Sequence, residues 1–119
     1  MRAQHLHLPL LTIPPDTTDC VVLSHVDIYN KPHRHTIVLG TRARATSRRL
    51  TPYTSSNNVR CMIFNNAVLN HEKTEAVGCS CPDFLYRGLP SKVNKHAGDA
   101  AFGCKHVFYV NVHYFGIDT

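Results

Sequence analysis

Acidic residues are scarce in this chain of 119 residues: Asp and Glu number 8 against 13 Lys and Arg, for a formal net charge of +5. Between Ile28 and His71 there is none, while the same stretch carries Lys31, Arg34, Arg42, Arg44, Arg48, Arg49 and Arg60. Long apolar runs are also missing. None approaches the ~20 residues that span a bilayer, so no membrane partner is expected. There is no phosphate-binding glycine loop, no carboxylate pair and no nucleophile triad; Asp27, Glu72, Glu75 and Asp83 are scattered. The expectation is a protein that is not an enzyme and has no small-molecule substrate. Met1 to Ile13 lacks a clean hydrophobic stretch and a cleavage site and is not read as a signal peptide. Cysteines number five, an odd count that argues against a disulfide framework. Free thiols without a secretion signal suggest a reducing, intracellular compartment.

Four residues stand out from this background. Cys79-Ser80-Cys81 and Cys104-Lys105-His106 form two tight pairs separated by 22 residues. Three thiols and one imidazole are a ligand set that tetrahedral zinc takes. A Cys-x-Cys pair in turning backbone can aim both sulfurs at one ion, and a Cys-x-His pair at a helix start can supply the rest. Four protein ligands leave no position for a substrate or an activated water, so the metal is expected to be one structural zinc. Other readings are a Cys81–Cys104 disulfide, ordinary buried thiols, or a Cys104–His106 nucleophile and base. Residues two apart rarely meet in hydrogen-bond geometry, which weakens the last. Cys20 and Cys61 each sit alone in a β-like run and are expected to be small core residues, not ligands.

The string Val77-Gly78-Cys79-Ser80-Cys81-Pro82-Asp83-Phe84, followed by Cys104-Lys105-His106-Val107, resembles the SWIM-type zinc finger, whose pattern is Cys-x-Cys, a variable gap, then Cys-x-His. The resemblance covers roughly residues 59 to 115. It implies Cys79, Cys81, Cys104 and His106 as ligands, and two strands followed by a helix with the metal joining the strand end to the helix start. It also implies nucleic-acid or protein binding. The small size and the Cys-Pro-Asp-Phe turn are similar to stand-alone SWIM proteins of tailed phages. If phage-encoded, the protein would act in the host cytoplasm or in the virion.

The expected fold class is α+β: a small antiparallel sheet with a C-terminal ββα zinc-binding module. Residues 1–19 read as an extended, proline-punctuated arm, 20–58 as a β-hairpin region with a basic strand, and 59–119 as the zinc module. Cys20 to Tyr29 is rich in β-branched residues and reads as a strand; Asn30 to His33 turns; His35 to Thr46 returns as the second strand. Leu50 to Asn58 reads as a polar loop. Val59 to Asn65 and Thr74 to Cys79 are the next strands, and Gly78 is expected to let the backbone bend into the site. The 22-residue gap is a long loop that opens on an aromatic-bearing turn; His96 within it is a substitute ligand. Cys104 to Phe115 is either strand or helix. Val107, Phe108, Tyr109, Val110 and Val112 are poor helix formers, but metal geometry favours the helix, with Gly116 ending it.

Two contact surfaces follow. An extended strand puts Arg42 and Arg44 on one face, continued by Arg48; with Arg49 and Arg60 they would meet nucleic acid or an acidic protein surface. The alternative is a charged edge strand that resists aggregation. Met1 to Pro15, with Leu6, Leu8 and Leu10 alternating, is expected to order only against a partner subunit; the alternative is that it packs on its own domain. In the partner reading the protein is a structural virion component docking through its apolar arm and C-terminal element.

Overall fold

The computed structural model describes residues 7–42, 49–69, 72–84 and 104–117. Its centre is an antiparallel sheet. Strands β1 (His7–Thr12), β2 (Cys20–Val26), β3 (Pro32–Arg42), β4 (Leu50–Thr54), β5 (Arg60–Phe64), β6 (Ala67–Val68) and β7 (Glu75–Cys79) lie in the order β1-β2-β3-β7-β5-β4, with β6 paired to β3. A short helix, α1 (Lys105–Tyr109), runs into a π-helical turn at Val110–Tyr114. The architecture is α+β, and strands from residues 7–12, 20–54 and 60–79 share the one sheet.

The β2–β3 hairpin forms as its β-branched sequence requires, with seven register pairs from Cys20↔Val38 to Val26↔Pro32. Asp27 shapes its turn: its Oδ1 accepts from the N–H groups of Tyr29 (2.8 Å) and Lys31 (2.9 Å), and Asn30 takes positive φ. Inward residues of this hairpin, Val21, Leu23, Ile37 and Leu39, pack with Ile63, Phe64, Val77, Phe84, Val107 and Val110 into one core. The β4–β5 turn folds onto the start of β2. There the Asp19 carboxylate accepts from Ser56 N–H, from Ser56 Oγ at 2.6 Å and from Tyr53 Oη. Burial opposes ionisation of Asp19, but the hydrogen bonds from Ser56 and Tyr53 outweigh it and hold the carboxyl below its usual range.

Two expectations are corrected. The N-terminal segment is not an arm awaiting a partner along His7–Thr12: β1 pairs with β2 of its own chain. A register shift between His7 and Leu10 breaks the simple leucine alternation, so Leu11 packs on the core while Leu10 is exposed. Residues 50–54 are not loop but β4, paired with β5 across five positions. Pro52 is accommodated because β4 is the terminal strand of the sheet, where a missing N–H breaks no second ladder. Gly78 stands where the β3–β7 register shifts, and it also permits a close approach: a Cβ there would lie 2.4 Å from Ile63 Cγ2 and 2.5 Å from the Met62 carbonyl oxygen.

The helix prevails over the strand alternative at residues 105–114. Its stripe of Val107, Val110 and Asn111 is buried, while Tyr114 on the same stripe stays half exposed. Gly116 ends the helical segment with φ +68°, as expected of a C-terminal glycine. Asn111 leaves the helix surface to satisfy the sheet: its Oδ1 accepts from Ala76 N–H at 2.6 Å and its Nδ2 donates to Ala76 C=O at 3.5 Å. A buried side-chain amide thus stands in for a neighbouring strand. Asn111→Ala should cost about 1–3 kcal/mol, because it strands both backbone groups of Ala76. Urea unfolding of the variant beside the wild type measures this.

Candidate metal centre

Each of the four expected ligands is delivered by a defined local feature. β7 ends at Cys79, and the next residue is pinned to β3: Ser80 N–H donates to Thr36 C=O, and Thr36 N–H donates to Ser80 Oγ, both at 3.0 Å. With Ser80 fixed, the chain turns and brings Cys81 back beside Cys79. Cys81 N–H donates to Cys79 Sγ at 3.5 Å, and Phe84 N–H donates to Cys81 Sγ at 3.3 Å. Phe84 is fully buried edge-on against Phe64, with ring centroids 5.3 Å apart, so the turn after the cysteines is anchored in the core. On the other side, Cys104 is extended (φ −91°, ψ 173°) and immediately precedes α1. Its sulfur makes no helix cap and turns toward the ring of His106.

The four donor atoms lie within 4.8 Å of one another, and all four residues are buried. In a tetrahedral zinc site the edge between a sulfur at 2.3 Å and a nitrogen at 2.05 Å is about 3.6 Å. Cys104 Sγ and His106 Nδ1 are 3.6 Å apart. The residues therefore fit a tetrahedral ion, with His106 offering Nδ1. The electrostatics agree. Burial pushes the Cys79 and Cys104 thiols up, while hydrogen bonds from Cys104 and Cys79 hold Cys81 down, so Cys81 is the first to ionise. Three sulfurs crowded out of water can all be thiolates only with a cation between them.

All five cysteines are free thiols, so the disulfide alternative is not realised. Cys20 and Cys61 are buried apart from the cluster. Cys20 Sγ contacts Asn57 Oδ1, Cys61 Sγ contacts the Val59 carbonyl, and burial pushes each thiol up to about 11. They are core residues, as expected.

A layer of histidines behind the cluster was not foreseen. His106 Nε2 lies 3.1 Å from His25 Nε2, and the His35 ring is 3.9 Å from that of His106, centroid to centroid. With Nδ1 committed to a metal, Nε2–H of His106 donates to His25, the outer partner that a ligating histidine usually has. Burial, reinforced by His106, lowers His35 to about 4 and also lowers His25, so both rings are neutral near pH 7. A signal existed: His33 and His35 are two apart on one strand, and the register sets His25 opposite His33.

Of the residues expected in the basic comb and its flanks, Arg42, Arg49 and Arg60 are described. Arg42 lies over Phe64, its guanidinium carbon 3.6 Å from the ring centroid, and its backbone N–H donates to Glu75 Oε2. Half-buried there, its guanidinium rests against an apolar ring, with the Glu75 carboxylate favouring its charge. Arg49 and Arg60 are exposed and flank the β4–β5 hairpin. Arg44, Arg48 and the substitute ligand His96 lie outside the described residues. Among the described residues no helix is long and apolar enough to cross a membrane. The chain matches no family model, no curated protein and no solved structure.

Proposed function

We propose that the protein is a non-enzymatic, zinc-stabilised interaction module of the SWIM type, which presents a basic surface to nucleic acid or to an acidic protein face. The observation that carries this reading is the closed set of four buried donors, Cys79, Cys81, Cys104 and His106, joining the end of β7 to the start of α1. Such a site crosslinks elements and offers no open coordination position for substrate. The antiparallel pairing of β5 with β7, followed by α1, supports the ββα succession of the SWIM resemblance. The net charge of +5 and the exposed Arg34, Arg49 and Arg60 support an anionic partner.

Salt dependence tests the partner class. If phosphates are bound, log affinity for DNA or RNA should fall with log salt by about 0.7 to 0.9 per phosphate neutralised. Arg49→Ala with Arg60→Ala should flatten that slope while zinc content is unchanged. No binding to either nucleic acid at low salt would exclude phosphate and leave the acidic protein. A structural role, as a virion component of a tailed phage, draws on Ile28 and Tyr29, which stand exposed at the β2–β3 tip, and on Tyr114. Binding insensitive to salt but abolished by Ile28→Ser with Tyr29→Ser would favour it.

A further inference from the structure

The histidines behind the cysteine cluster are arranged by the sheet itself. Side chains alternate along a strand, so His33 and His35 share a face of β3. The β2–β3 register pairs His25 with His33 and Leu23 with His35, which adds His25 to that face. α1 then sets His106 above it. Ring centroids of His25 and His106 are 5.1 Å apart, and those of His25 and His35 are 5.5 Å apart. One donor nitrogen from each of His25, His35 and His106 falls within 4.8 Å of the others.

Two details separate this from a packed layer of rings. First, His106 faces two centres with its two nitrogens: Nδ1 is 3.6 Å from Cys104 Sγ, and Nε2 is 3.1 Å from His25 Nε2. Two nitrogens bound at about 2.05 Å to one tetrahedral ion lie about 3.3 Å apart, close to the His25–His106 spacing. Second, His35 has no hydrogen-bond partner among the described residues, although it is half-buried beside His106. A carboxylate would satisfy these rings, but Asp27 is engaged by His33 at 2.9 Å.

We propose that His25, His35 and His106 form a second site for a divalent transition ion such as Zn²⁺, sharing the His106 ring with the cysteine site. Neutral imidazole suits such ions. The first ion sits on Nδ1 of His106, so binding the second on Nε2 breaks the Nε2–H bond. The proton leaves to solvent, the nitrogen lone pair goes to the ion, and the ring bridges the two metals as imidazolate. The second site lacks thiolates and is the weaker of the two. The proposal rests on the cysteine-site reading only through His106.

The test uses full-length protein washed to its tightly held metal and then titrated with Zn²⁺. The starting content reports the cysteine site alone. A second, saturable equivalent is expected, releasing one proton per zinc, as read from calorimetry in buffers of different ionisation enthalpy. It should shift the ring ¹⁵N resonances of His25 and His35 in the unmodified chain. His35→Phe keeps a ring against His106 but removes the nitrogens; it should retain the first zinc and lose the second. Uptake of a single zinc by the wild type would overturn the proposal. So would a second zinc that perturbs His113 while leaving His25 and His35 unshifted, or one that persists in a His35→Phe variant still holding the first.

Discussion

Replacing Cys79 by Ser is expected to abolish tight metal binding and to unfold the region from residue 59 to 115. The reasoning is one of magnitude. Structural zinc of this class carries about 10–16 kcal/mol of apparent binding free energy coupled to folding. A domain of this size is stable by only about 5–15 kcal/mol in all. Loss of one of four ligands therefore removes an amount comparable to the whole. Cys79 is also the residue where β7 meets both β3 and β5, paired with Ile37 and Met62, so disorder there spreads into the centre of the sheet. A strong chelator should act on the wild type as the substitution does, with loss of the sheet signal in far-ultraviolet circular dichroism. Cys20→Ala and Cys61→Ala are the controls. Each should keep its full zinc content, since both thiols lie outside the cluster. A Cys79→Ser protein that melts like the wild type would show that the fold does not depend on the metal.

Phe84→Ala should have the second-largest effect. Phe84 is fully buried, stacks edge-on against Phe64, and carries the N–H that donates to Cys81 Sγ. Truncating a buried phenylalanine costs about 3–5 kcal/mol through lost burial and the cavity left behind. At this position the cavity opens directly beneath the Cys79–Cys81 turn, so zinc affinity should fall together with stability. Denaturant unfolding of the zinc-loaded variant and competition with a metal indicator measure the two losses separately. A change of less than about 1 kcal/mol, in the range of a surface substitution, would contradict the placement of Phe84 in the core.

Much of the metal centre was legible in the sequence because its signal is local. Cys-x-Cys in a turning backbone and Cys-x-His at a helix start each bring two donors within reach of one point, so the meeting of the two pairs was what needed the fold. The β2–β3 hairpin was legible for the same reason: β-branched residues on both sides of a turn whose Asp27 and Asn30 fit their conformations. The misses are of a different kind. Pro52 made β4 look like a loop, and only the sheet order reveals that it lies at an edge where proline is tolerated. The proline-punctuated N-terminus concealed β1, and the register shift after His7 moved the buried position to Leu11. Strand alternation placed Arg42 on a face with other arginines, but its guanidinium lies over Phe64, a contact that period 2 cannot anticipate. Asn111 looked like one polar member of a stripe. Its role depends on two backbone groups of Ala76, 35 residues away. The histidine layer depends on a cross-strand register and a helix docking above it, neither of which any one segment encodes.

Zinc-edge X-ray absorption on protein washed to its tightly held metal tests the central claim most directly. The account predicts one zinc per chain, with a first shell of three sulfurs at about 2.3 Å and one nitrogen at about 2.0 Å. A folded protein that retains no metal, or a shell of nitrogen and oxygen without sulfur, would contradict it.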